Sequence, residues 1–312
     1  MSARRACVVG GLLSDAATTP LHWVYDVAKL STFLKENGIV DEPEFCSKPQ
    51  CPFYEAKVGD LSPYGGEYVA MLNGLAKTDA ANKGTLDPKA VEKEMCEFFA
   101  SWKGYKNHVT KTLEANAAKG ATYPDTADKD DNQANGMAKA PLIAAAFGKA
   151  DDFVATAKAA VALMQSRPSA VQYGLAAAII TKNVLDGATV GDAIKAAESS
   201  DSLDATTKAD ITDVLANKDG DIAALSKKWG ISCSYPGAFK LSLLVILQSS
   251  SFKEAVRTNI KLGGDNCSRA AFIGGVFAAA SPDQVPEEEW FSRTADAAAF
   301  RATINTLFPA AE

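Results

Sequence analysis

Residues 137–164 read MAKAPLIAAAFGKADDFVATAKAAVALM, and the fold class turns on this stretch. Alanine recurs throughout it. Alanine is the best helix former and a poor strand former, so the stretch reads as helix and not as buried strand. The run is interrupted from Gly148 to Asp151. Two helices are therefore expected, with Asp151 or Asp152 placed to cap the second. Their small side chains would let neighbouring helices approach closely.

Downstream, Pro168 is placed to start a helix through Ala170 to Leu185, ended by Gly187. Thr189–Ser199 is short and amphipathic, and 200–230 holds further short helices. Gly237–Ser249 is strongly apolar. Phe252–Leu262 has helical spacing and leads to a glycine-rich loop, Gly263 to Arg269, then a small-residue helix, Ala270–Ala280. Upstream, 121–135 reads as a polar loop whose Asp128-Lys129-Asp130-Asp131 is expected to be solvated surface. Val91, Met95, Phe98, Phe99 and Trp102 give helical spacing over Lys89–Trp102. Residues 38–67 carry four prolines and four glycines without period, which predicts a long loop, often a functional element, before a helix from Tyr68. The first element, about Ala6 to Leu34, is expected to break into helix, turn and helix near Gly10, Gly11 and Asp15–Pro20. No alternating pattern, internal repeat or linker interrupts the chain, so residues 1–312 read as one all-α domain.

Composition narrows the function classes. With 32 Lys and Arg against 38 Asp and Glu, the net charge is -6 and no basic stripe is present. That argues against nucleic acid, whose phosphates need clustered cations. A small anion remains compatible, because amides at helix starts can bind one. The six cysteines are scattered and read as reduced thiols. Arg4 and Arg5 precede an apolar run from Ala6 to Leu13, but Asp15, His22, Asp26 and Lys29 continue a helical pattern. This reads as a buried first helix and not as a leader. Nothing approaches the roughly 20 apolar residues of a membrane span. A soluble cytoplasmic protein, off the membrane, is the expectation.

Three segments carry a resemblance. They are Gly11-Leu12-Leu13-Ser14-Asp15-Ala16 followed by Pro20-Leu21; Asn135-Gly136-Met137-Ala138-Lys139-Ala140-Pro141; and Gly263-Gly264-Asp265-Asn266-Cys267-Ser268 before a glycine-containing helix. In this order they resemble the ADP-ribosylglycohydrolase family over about residues 6–282. Thr19-Pro20-Leu21-His22-Trp23 and Ser62-Pro63-Tyr64-Gly65-Gly66 are similar to its J1-crystallin branch. The resemblance implies a compact orthogonal helical bundle. It also implies a cleft for ADP-ribose or a related nucleotide sugar, and hydrolysis of a ribose glycosidic bond assisted by two Mg2+ ions. Magnesium wants hard oxygen ligands, which the family supplies from a Thr-Asp-Asp stretch and an Asp-x-Asp-Thr loop.

This chain departs from that pattern. Gly65-Gly66-Glu67 stands at the first stretch, and Cys267 replaces the second aspartate of the loop. Asp265, Ser268 and Glu67 are left as metal-side candidates. Asp60 and Asp125 lie in loops able to supply others. His22 stands where an acidic residue is usual.

Each candidate has two readings. Asp15 flanks the cleft or simply closes a turn. His22 takes part in chemistry or is a hydrogen-bonded structural residue. Tyr64 stacks on a ligand ring or is core. Asn135 and Lys139 hold phosphate or ribose, with Gly136, Gly263 and Gly264 lending backbone, or are a cap and a surface cation. Cys267, expected in the first turn of the last apolar helix beside Arg269, is a lowered-pKa thiolate paired with His22 or a small residue filling a lost metal position. The function is accordingly an ADP-ribosylglycohydrolase-like binding protein or hydrolase with a degenerate magnesium site, a non-catalytic J1-crystallin-type structural protein, or a thiol-based enzyme.

Overall fold

The computed structural model describes residues 1–309. Ser2 caps the first helix by accepting from the Arg5 N–H, and Ala3–Thr18 then runs unbroken through Gly10, Gly11 and Asp15. The expected break does not occur at the glycines. They lie where this helix crosses Asn266–Ala280: a Cβ on Gly10 would collide with Ala278 and the Gly274 carbonyl. Close packing there outweighs the roughly 1 kcal/mol that glycine costs inside a helix. The expected helix, turn and helix do appear, with the break at the end of the Asp15–Pro20 stretch, a 3-10 turn at Thr19–Leu21 with Pro20 inside it. A second helix, Val27–Glu36, follows after Asp26 as its cap.

The long loop ends five residues earlier than its composition suggests, at Ser62. Ser62 Oγ accepts from the N–H groups of Tyr64 and Gly65, Pro63 occupies the first helical position, and the helix runs Pro63–Thr78. Gly65, Gly66 and Glu67 are therefore helical. The glycine-rich loop near the C-terminal third is likewise shorter than expected, because the helix after it starts at Asn266. The charged run at 128–131 is only half solvated surface: Lys129 and Asp130 are exposed, but Asp128 and Asp131 are buried. Asp128 accepts from the backbone of Asp130 and Asp131, and Asp131 from Gln133 and Gln165. These carboxylates hold the loop in shape.

Pro88–Ser101, Asn135–Phe147, Phe153–Val161 capped by Asp152, Pro168–Leu185, Gly237–Gln248 and Phe252–Lys261 follow the sequence closely, whereas His108–Ala118, Glu287–Phe291 and Ala297–Leu307 lie outside the elements predicted from it. Among the described residues the protein is all-α, with 17 α-helices and three isolated bridges in place of any sheet. Every residue of Asn135–Phe147 is buried, and so is nearly all of Asn266–Ala280. Helices apolar on all sides belong at the centre. Asn266–Ala280 packs against the first helix, Asn135–Phe147, Pro168–Leu185, Gly237–Gln248 and Phe252–Lys261. The C-terminal end of the first helix and the N-terminal ends of the helices starting at Pro63, Asn135 and Asn266 converge on one spot. No described helix is long and apolar enough to cross a membrane.

Candidate functional site

At that convergence lie most of the residues singled out from the sequence. Asp15, His22, Tyr64, Glu67, Asn135, Lys139, Asp265, Cys267 and Ser268 are each 0% exposed. A buried carboxylate costs free energy unless it is hydrogen-bonded or paired, so each must find donors inside the protein.

Asp15 finds them at Ser62. The Ser62 hydroxyl donates to Oδ1 at 2.5 Å and its N–H to Oδ2 at 2.9 Å. These bonds do not fully offset desolvation. Burial, helped by the charge of Asp265, pushes the Asp15 carboxyl up to about 7. The carboxylate also fills the space beside Gly65, where any Cβ would overlap Asp15 Oδ2. A Cβ on Gly66 would stand 3.1 Å from ring atoms of Trp102. The two glycines thus make room for a carboxylate and an indole.

His22 follows the 3-10 turn and is gripped at both ring nitrogens. Its Nε2 lies 2.6 Å from Asp265 Oδ1 and its Nδ1 lies 3.0 Å from the Tyr54 hydroxyl. Burial lowers the imidazole pKa and keeps the ring neutral. Nε2 then carries the proton toward Asp265, and Nδ1 accepts from Tyr54. Burial alone would raise the Asp265 carboxyl. The bonds from His22 and from Ser268, whose Oγ donates to Oδ2 at 2.6 Å, together with Arg269 nearby, hold it below the usual range.

Glu67 is enclosed on all sides. Lys139 Nζ is 2.5 Å from Oε2, and the side-chain amides of Asn107 and Asn135 each donate to Oε1 at 2.7 Å. Lys139 is neither surface nor free to meet a phosphate. Its ammonium also donates to the Asn135 carbonyl at 2.8 Å. Asn135 sits inside the helix, after Ala134, so it is not the cap.

The glycines are spent on backbone geometry. Gly263 and Gly264 have φ of 66° and 62°, a region that favours glycine. The Gly264 N–H donates to the Val24 carbonyl and its own carbonyl accepts from Trp23. Gly136 packs against Gly174 and donates to Gln165 Oε1. Tyr64 lies edge-on to His22, their centroids 5.9 Å apart. Asp60 carries a neighbouring backbone N–H and Asp125 pairs with Lys129 on the surface, both away from this cluster.

Cys267 occupies the first turn of its helix, as expected, but burial pushes its thiol well above the ordinary value, with Asp15 and Asp265 adding to the rise. That reverses the lowered pKa expected of a helix-start thiol. Its neighbours are the Thr19 hydroxyl at 3.7 Å and the Asp15 carbonyl at 3.9 Å, while His22 turns to Asp265. Alkylation of the native protein is expected to modify Cys51, Cys96 and Cys233, which are partly exposed, well before buried Cys7, Cys46 and Cys267. Mass mapping of the labelled peptides checks this; early labelling of Cys267 would revive a thiol mechanism.

The Asp15 carboxyl also makes a signed prediction. Between the unfolded value near 4 and the folded value of about 7, the folded state holds the extra proton. Stability from this group therefore falls as pH rises through that window, by an amount on the order of 4 kcal/mol. His22 works the other way: its lowered folded pKa costs stability as pH falls below about 6.5. Asp15→Asn cannot ionise, so it is expected to gain on the wild type between about pH 4 and about pH 7 in urea unfolding. A wild-type-minus-variant difference that stays constant across this range would assign the titration elsewhere.

Sequence reasoning missed Ser62, Tyr54, Trp102, Asn107 and Gln165. Only Ser62 carried a signal, a serine directly before a proline, which is a helix start. The others are distant in sequence and meet the site only in three dimensions. Outside, an aromatic layer covers His22. Trp23 stacks on it with centroids 4.3 Å apart and φ of 59°, and Tyr54 and Tyr105 stack at 5.0 Å. A groove of about 300 Å³ beside them is lined by Trp23, Tyr25, Lys29, Phe33 and Phe53.

With this geometry in view, the likeness to known proteins is informative. The sequence profile described as ADP-ribosylglycohydrolase matches residues 2–312. Crystallin J1A of Tripedalia cystophora is 26% identical over 309 residues, covering 93% of this chain and 91% of the relative. Crystallin J1B of the same animal is 25% identical over 305 residues, with the same coverage. A solved structure titled ADP-ribosylglycohydrolase-related protein complex superposes with a TM-score of 0.71 at 15% identity, over 98% of this chain and 97% of its own. That likeness concerns the fold. Matched along essentially its whole length, the chain belongs to the ADP-ribosylglycohydrolase family.

Proposed function

We propose that this chain is a non-hydrolytic member of its family, akin to the J1 crystallins, in which the cleft of carboxylates has become part of the polar core. The observation that carries the reading is the buried pair of Glu67 and Lys139, 0% and 1% exposed at their side chains. An open catalytic cleft needs carboxylates with free lone pairs facing a ligand. Here Lys139, Asn107 and Asn135 take those of Glu67, while His22 and Ser268 take those of Asp265.

The donors present do not fit the family's magnesium pair. Two positions of the first stretch are glycines, an ammonium stands against the remaining carboxylate, and Cys267 offers a protonated thiol where a hard oxygen is needed. No metal-assisted step is assigned. A nucleotide sugar such as ADP-ribose would have to displace Tyr54 and Trp23 before meeting His22.

Thermal unfolding with ADP-ribose, in magnesium or in EDTA, tests this. A ligand at about 100 times its dissociation constant adds about 2.7 kcal/mol, a displacement of several degrees. No displacement and no release of ADP-ribose from an ADP-ribosylated peptide are expected. A magnesium-dependent shift with turnover would overturn the proposal. A shift without magnesium would mark a binding protein with altered chemistry.

A further inference from the structure

The chain holds three Asn-Gly pairs, at 37–38, 73–74 and 135–136. Such a pair is open to attack by its own backbone, because glycine leaves the following amide nitrogen unhindered and free to swing toward the asparagine side chain. The fold treats the three pairs differently. Asn73 lies inside Pro63–Thr78, where its Oδ1 accepts from the Thr303 hydroxyl at 3.1 Å and Gly74 is packed on Val91. Asn135 is fully buried at the start of its helix, and Gly136 is packed on Val161. Asn37 instead ends Val27–Glu36 at the surface. Gly38 is exposed, has φ of 66°, and has no atom within 4 Å of where a Cβ would stand.

A polar contact sets Asn37 further apart. Lys48 Nζ donates to its Oδ1 at 2.7 Å, while its Nδ2 donates to the Phe33 carbonyl at 2.9 Å. The ammonium therefore faces the amide oxygen and not the amide nitrogen. A cation there stabilises the negative charge that forms on oxygen when the amide carbon is attacked. The Gly38 N–H bonds to the Lys35 carbonyl at 3.1 Å. That bond belongs to the last turn of an exposed helix, where opening costs least.

We propose that Asn37 is a site of spontaneous modification in the folded protein, promoted by Lys48. The Gly38 nitrogen gives its proton to water and bonds to Asn37 Cγ, and Lys48 holds the charge that develops on Oδ1. The Cγ–Nδ2 bond then breaks, and Nδ2 leaves as ammonia after taking a proton from water. One water opens the resulting cyclic imide at either carbonyl. The products are aspartate and its β-linked isomer, and the net change is one water consumed and one ammonia released. Aspartate at this position keeps Lys48 as its partner. The isomer adds one carbon to the main chain between the helix and the long loop.

The full chain is held at neutral pH in water enriched in heavy oxygen, and its peptides are then mapped by mass, with the isomers separated by chromatography. Asn37 is expected to convert over weeks while Asn73 and Asn135 stay unchanged. In urea all three are expected to convert at similar rates. Lys48→Met is expected to slow conversion of Asn37 several-fold in the folded protein, Lys48→Arg to restore it, and neither to change the rate in urea. Lys48 is exposed, so both variants are expected to melt with the wild type. An Asn37 as inert as the other two overturns the proposal. So does a folded Lys48→Met protein that converts as fast as the wild type or faster, because Lys48 would then be a bystander or a restraint. Turnover of ADP-ribose involves none of these residues, so its outcome is independent of this one.

Discussion

Gly65→Thr, the change that restores the family's threonine, is expected to cost about 3 kcal/mol or more, enough to unfold a marginal domain. The reason is spatial. Any Cβ at residue 65 overlaps Asp15 Oδ2. That carboxylate cannot retreat, because Ser62 holds it through both oxygens in a buried position. Moving it would strand an ionisable group without donors. Gly66→Asp meets a second obstacle, the Trp102 ring 3.1 Å from its new Cβ, and adds a buried charge. Urea unfolding of Gly65→Thr, and of Gly65→Ala as the smallest probe, measures the cost. Pairing Gly65→Ala with Asp15→Ala should recover much of it, since the overlap then disappears. A Gly65→Thr protein within about 1 kcal/mol of wild type would show that Asp15 does not own that space.

Glu67→Gln is the second large effect. It leaves the Lys139 ammonium in a closed interior opposite a neutral amide. Breaking a buried ion pair by removing one partner typically costs about 3–5 kcal/mol. Removing both partners by Glu67→Leu with Lys139→Met should cost much less, because no charge is left unpaired. The pair would then show a large coupling energy in a double-mutant cycle. Small, additive losses would mean that water reaches the pair and that the interior is less closed than its burial indicates.

The helices were legible because alanine content, prolines at helix starts and aspartate caps all act within a few residues of one another. Phe153–Val161 with Asp152 and Pro168–Leu185 are examples. Gly10 and Gly11 misled for the converse reason. In isolation a glycine weakens a helix, and its use as a contact point depends on a partner far along the chain, Gly274 and Ala278 for Gly10 and Ala271 for Gly11. Asp128 and Asp131 misled similarly, since a run of charges reveals its partners only once the loop has closed. The three site segments were located from their motifs, and the structure brings them together. What those motifs could not convey was that Lys139 would turn inward to Glu67, or that Trp102 and Tyr54 would fill the remaining space. Those contacts depend on helix packing and not on spacing along the chain.

The crossing of the first helix with Asn266–Ala280 has a consequence for how such a protein can change over generations. The two backbones meet through Gly10, Gly274 and Ala278, and Gly275 sits against Pro141. None of these residues takes part in the polar cluster. The architecture and the chemistry are therefore inherited through separate sets of positions. A lineage can rewrite its charged interior, exchanging aspartates for glycines or a metal-side residue for cysteine, while the crossing keeps the scaffold in register. The near-complete superposition on a structure sharing only 15% of its residues is the expected signature of that division.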